Sequence, residues 1–136
     1  MNPVIFNTIA IIGGIIVGSA VNMLIINFGP TVIPPPEGVD ISTAEGLKQG
    51  MHLMQPKHFI MPFLAHFAGT FVGAFIAARI AVTHKMRFAL GIGFFFLLGG
   101  IAASFMIPAP AWFIAVDLLL AYIPAAWLVG KVIIKK

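Results

Sequence analysis

The sequence predicts an all-α membrane protein, a compact bundle of four transmembrane helices with a short helix in its first outer loop. Three observations carry this. Of 136 residues 60% are hydrophobic and only 9% are charged, against about 25% charged in a soluble domain. The mean hydropathy is +1.07. Four apolar runs, Val4 to Phe28, Phe59 to Ile80, Phe88 to Ile107 and Ala111 to Gly130, each approach or exceed the roughly 20 residues that a hydrocarbon core requires. The four helices are expected at about 4–28, 58–80, 87–107 and 111–130, with the outer loop at about 29–57, in a single integral membrane domain of residues 1–136.

The first run has no basic n-region, exceeds the length of a signal h-region and offers no clear small-residue cleavage site, so it is expected to remain as a helix. Gly14, Gly18 and Asn22 recur along it at intervals of four. Gly69, Gly73 and Ala77 do the same on the second run. Small residues at helical spacing let backbones approach closely in lipid, so these two faces are expected to meet. Between them, "GPTVIPPPEGVD" is too rich in proline to be helical and is expected to be an extended spacer. "STAE" then places Ser42 three residues before Glu45, a capping box that would start a short helix "TAEGLKQGMHLM" ending before Pro56. Leu47, Met51 and Met54 fall on one side of it, which suits a helix lying on the membrane interface or capping the bundle. The third run contributes Gly91, Gly93, Gly99 and Gly100, with "FFFLL" expected to face lipid or another subunit.

Cations set the expected orientation, because Lys and Arg near short loops are retained in the cytoplasm. Six of the eight lie in "ARIAVTHKMR" or "KVIIKK", where no acid occurs. The first connection holds Glu37, Asp40 and Glu45, three of the four acids. Both termini are therefore expected inside. The net charge of +4 is a topology signal directed at the lipid bilayer and is not a sign of nucleic-acid affinity, so no nucleic-acid partner is expected. With no cysteine in the chain, thiolate chemistry and disulfides are ruled out.

The fourth acid, Asp117, stands inside the apolar run "WFIAVDLLLAYIPAAW". It lies six residues in from Ala111, about 9 Å of depth at 1.5 Å per residue. Asn22 is six residues in from Phe28 and His66 seven in from Phe59, so three polar side chains from three helices share one level. A carboxylate near the helix centre costs about 2.5–3.5 kcal/mol on insertion scales and needs an interior partner. His66 is the natural one. Thr70, one turn below His66, could extend the polar line or bond its own i−4 carbonyl. Pro124 withholds a donor from the carbonyl of Leu120. Asp117, His66, Asn22 and Thr70 thus form a candidate ligand or proton site. The competing reading is that they only fix helix register, as interhelical hydrogen bonds worth about 0.6 kcal/mol often do. Glu45, His52 and His58 form a weaker candidate metal site, because their spacing matches no closed zinc motif. No nucleophile elbow, haem ligand pair or phosphate loop is present, so an enzyme is not expected and no cofactor is assigned.

"GSAVNM", "IPPPEGVD", "HFIMPFLAHFAGTFVGAFIAARI" and "DLLLAYIPAAW" together resemble small four-span inner-membrane proteins found in many bacteria, a family without an established activity. The resemblance covers nearly the whole chain and implies a bacterial inner-membrane location and a four-helix fold. It lends no substrate or catalytic residue. The glycine pattern is also similar to that of four-helix transporters that work as dimers, which fits the expected self-association. Their membrane-embedded glutamate in the first helix is absent here.

Overall fold

The computed structural model describes residues 1–136, which form helices and connecting turns with no strand. The helices are α1 (Pro3–Val32), α2 (Ala44–Gly50), α3 (Ile60–Ile80), α4 (Lys85–Met106), α5 (Ala111–Leu120) and α6 (Ile123–Ile134). Four spans are long and apolar enough to cross a membrane: Pro3–Val32, Pro56–Ile80, Lys85–Met106 and Ala111–Ile134. The shortest has 22 residues, about 33 Å at 1.5 Å rise, which matches a hydrocarbon core. Successive spans run antiparallel, so both termini and the Ala81–His84 turn share one end, the terminal end. Residues 33–59 and the Ile107–Pro110 turn occupy the other, the loop end.

Helix α1 starts cleanly because the Asn2 side chain accepts from Val4 N–H at 3.0 Å and Pro3 sits where no amide donor is needed. It ends four residues later than expected. Pro30 lies inside the helix, and the chain leaves helical geometry only at Ile33, just before the three consecutive prolines. One proline removes one backbone bond, which a helix packed against a neighbour tolerates. Gly29 supplies that packing, since a Cβ there would stand 2.9 Å from Met61 of α3.

The crossing of α1 and α3 is built on glycine. Gly14 faces Gly73 and Gly18 faces Gly69, and a Cβ added at any of the four would lie 2.6–2.8 Å from the opposite backbone oxygen. The remaining centre is also made of small residues: Ala74, Ala77 and Ala78 of α3 meet Ala89 and Ile92 of α4 and Ala126 and Val129 of α6. Helix α4 divides its glycines by face. Gly93 admits Ala126 and Gly100 admits Tyr122, whereas Gly91 and Gly99 have nothing within 4 Å and face outward. "FFFLL" divides likewise, because Phe94 and Phe95 are exposed while the Phe96 ring packs at Gly18.

The turn between α3 and α4 is tied down by polar groups at the terminal end. Asn7 of α1 donates to Thr83 Oγ1 at 2.8 Å and accepts from Val82 N–H at 3.1 Å. Lys85 Nζ donates to the carbonyls of Ala78 and Ala81 at 3.0 and 2.7 Å, satisfying orphan acceptors at the end of α3.

The long connection departs from expectation in its cap. Thr43, not Ser42, caps α2, accepting from Gly46 N–H at 3.0 Å. Ser42 instead donates through its hydroxyl and its amide to Asp40, which holds that carboxyl below its ordinary range. Helix α2 stops at Gly50, and a tighter turn covers Met51–Leu53. The preceding segment folds back over it, with Asp40 against Gly46 and Val39 against Gly50. The fourth span is not one helix. It breaks at Ala121–Tyr122, where Pro124 in the first turn of α6 has no N–H for Leu120, and then continues to Ile134, beyond the expected end at 130.

Candidate functional site

The break in the fourth span decides the geometry around Asp117. In an unbroken helix residues five apart are rotated by about 140°, so Tyr122 would point away from Asp117. Here Tyr122 turns back, its hydroxyl donating to Asp117 Oδ2 at 3.1 Å. Gly100 of α4 leaves the room for it, since a Cβ there would lie 2.5 Å from the Tyr122 oxygen. From α3, His66 Nδ1 lies 2.8 Å from Asp117 Oδ1, and with the carboxyl ionised it is the donor. The His66 and Tyr122 rings stack at 5.8 Å and 24°. Both carboxyl oxygens therefore have a donor, and Asp117 is 5% exposed. Above this group, Phe59 and Phe113 pack at 4.8 Å, locking the start of α5 onto the start of α3 and setting the depth at which Asp117 meets His66.

The other two candidate residues do not join the carboxylate. Thr70 is 1% exposed, and its hydroxyl has no partner, not even the carbonyl of His66. Asn22 packs its Cβ against Gly69 at the α1–α3 crossing, with its Oδ1 enclosed and unpartnered. The structure therefore brings together His66, Asp117 and Tyr122, and leaves Thr70 and Asn22 as two isolated polar atoms. Tyr122 carries no helical-spacing signal from the sequence. Its only sequence clue is Pro124, which marks the break that redirects it.

His66 and Asp117 line a cavity of about 300 Å³ at the loop end. Its walls are apolar and come from α1 (Ile26), the residue that follows it (Ile33), the α2 segment (Leu47, Met51, Met54), α3 (Met61), α4 (Ala103) and α5 (Ile114). Leu47, Met51 and Met54 thus share the inner face of the connection, as their spacing predicts. Besides the dyad, the polar lining side chains are His58, whose Nδ1 accepts from Gln55 N–H at 2.7 Å, and Ser104, whose hydroxyl donates to the Ile101 carbonyl at 2.6 Å. That size suits a small ligand, and few polar groups on apolar walls is the usual composition of a small-molecule site.

Glu45, His52 and His58 do not assemble into a metal site. Glu45 accepts from Gln49 at 3.2 Å, His58 is committed to Gln55, and no three His, Asp or Glu side chains converge anywhere in the chain. The metal reading of these residues is corrected accordingly: they lie along one connection without facing a common point.

Compared with protein-family models, with curated proteins and with solved structures, the chain matches none.

Proposed function

We propose that this chain is a bacterial inner-membrane protein whose buried Asp117–His66 pair binds or passes a small solute or proton reaching it from the outer side. The observation that carries this is a carboxylate 5% exposed, doubly hydrogen-bonded, beside an apolar cavity at the loop end. A carboxylate is a costly means of fixing helix register. Asp117 is the titrating or cation-binding group, His66 its partner and the group that meets the cavity. Thr70 lies one turn inward as an unpartnered stop for a proton or water, and Asn22 is a separate amide at the same depth.

The cation pattern supports an orientation with both termini in the cytoplasm, the cavity facing outward and α2 lying at the outer interface. The outward face of α4, with Gly91, Phe94, Phe95 and Gly99 exposed or unopposed, supports self-association in the bilayer.

A second reading is favoured by the inner half of the bundle. Past Thr70 the centre consists of Ala74, Ala77, Ala78, Ile92, Ala126 and Val129, with no titratable group. On this reading the chain is an accessory or scaffold subunit, and the polar cluster and glycine faces only fix packing and the docking of lipid or a partner. The two are separated by Asp117→Asn, which keeps hydrogen bonding and removes titration. In liposomes carrying a pH gradient the variant is expected to lose flux while keeping the wild-type fold and assembly. Undiminished pH-driven flux would remove Asp117 from the mechanism and favour the scaffold.

A further inference from the structure

We propose that the cavity takes an uncharged, mostly apolar molecule bearing a hydroxyl, a phenol or hydroquinone ring by size, with that hydroxyl donating to Nε2 of His66. The inference rests on the reading of this cavity as a binding site and names the class of its ligand.

The argument follows hydrogen-bond capacity. Asp117 accepts from Tyr122 on one oxygen and from His66 Nδ1–H on the other. In a neutral imidazole, a proton on Nδ1 leaves Nε2 as a bare acceptor. Nε2 of His66 bonds no protein group and is not among the enclosed unpartnered atoms, which are Asn22 Oδ1 and Thr70 Oγ1. His66 lines the cavity, and the proposed hydrogen bond has Nε2 facing it. The carboxylate behind the ring strengthens that acceptor by orienting and polarising it. The group the cavity offers at its polar end therefore calls for a donor on the ligand.

The remaining wall sets the charge and character. No Lys or Arg lines the cavity, so an anion would meet an uncompensated Asp117. A cation would have to share carboxylate oxygens that already accept from His66 and Tyr122, and the cavity adds no second acid to hold it. Ser104 has spent its proton on a backbone carbonyl, and His58 has spent its Nδ1 lone pair on Gln55. The other lining side chains are almost all aliphatic, aromatic, proline or methionine, which reward apolar area.

The test titrates 4-pentylphenol into the protein in lipid nanodiscs, with 4-pentylanisole as the matched compound lacking the donor, and reads ¹⁵N-labelled histidines by NMR. The chain has four histidines, and His52 and His84, which do not line the cavity, report on folding and non-specific partitioning. The phenol is expected to give a saturable shift of the His66 nitrogens, with affinity about tenfold above the anisole, the worth of one hydrogen bond. Ala103→Phe and, independently, Ile114→Trp fill the cavity without touching the dyad, and each is expected to abolish that shift while the starting His66 signals persist. Equal responses to the two compounds, no saturable shift, or binding that survives both filled cavities overturns the proposal. Loss of flux in Asp117→Asn together with equal responses rejects the ligand class and leaves the proposed site standing. A phenol-selective shift with undiminished flux in that variant retains the ligand class and removes the titrating role of Asp117.

Discussion

Thr70 and Asp117 are both polar, both buried and one helix turn apart in depth, yet the bundle treats them in opposite ways. Asp117 has a donor on each oxygen, whereas the Thr70 hydroxyl has none. Enclosing an unpaired hydroxyl costs about 1–3 kcal/mol by mutational measures. Valine has the same branched shape and the same χ1 restriction without the hydroxyl. Thr70→Val is therefore expected to raise stability by about 1–3 kcal/mol in reversible unfolding from micelles, and, on the proposed function, to lower flux. A loss of stability would mean that the hydroxyl is satisfied in the membrane and belongs to a packed network. The pairing of His66 with Asp117 was legible from depth alone, since residue counts from the span ends place them at one level. Depth says nothing about azimuth, however. Asn22 shares the level and points at the α1–α3 crossing, and Tyr122 reaches the carboxylate only because the helix breaks.

At the scale of helices, period and composition locate the four spans and even the glycine crossing, because close approach in lipid demands small residues at intervals of four. What they do not locate is where a helix tolerates a breaker. Pro30 is absorbed into α1, whose end is held by Gly29 against Met61, while Pro124 splits the fourth span, where Tyr122 gains a partner by turning back. The difference lies in tertiary packing, which no local rule for proline contains. Nor does spacing separate Gly93 and Gly100, which admit α6 side chains, from Gly91 and Gly99, which face outward. This makes a controlled comparison. In Gly73→Ala the added Cβ would stand 2.6 Å from the Gly14 carbonyl oxygen and 3.2 Å from the Gly18 Cα, both backbone atoms that cannot rotate aside. The crossing must widen, and stability is expected to fall by about 1–3 kcal/mol. Gly91→Ala, with nothing within 4 Å, should be neutral or gain up to about 1 kcal/mol from helix propensity. Equal losses at the two positions in reversible unfolding would show that glycine acts here through the backbone of its own helix instead of through the crossing.

Across the whole molecule, charge and polarity are segregated along the bundle axis, and the two ends ask for different surroundings. The terminal end gathers Arg79, Lys85, Arg87, Lys131, Lys135 and Lys136, with Lys131 over the Trp127 ring at 5.2 Å. The loop end carries Glu37, Asp40 and Glu45 with Lys48 and Lys57, and opens the cavity. Lys85 cannot be counted as a free headgroup ligand, because it is bonded to two α3 carbonyls, but its charge still sits at that end. The proposed orientation, with the terminal end in the cytoplasm, rests on these six cations without an acid. The chain contains no cysteine, so single introduced cysteines report topology without background. Glu37→Cys, on the exposed connection, is expected to react in intact cells with a maleimide that cannot cross the membrane, and Lys135→Cys only after permeabilisation. The reverse pattern would turn the cavity toward the cytoplasm. His66 and Asp117 would then draw their ligand or proton from the inner side, and the flux experiment on Asp117→Asn would have to be run with the gradient inverted. Orientation therefore fixes which compartment supplies the site, while the hydrogen bonds around Asp117 fix what the site can hold.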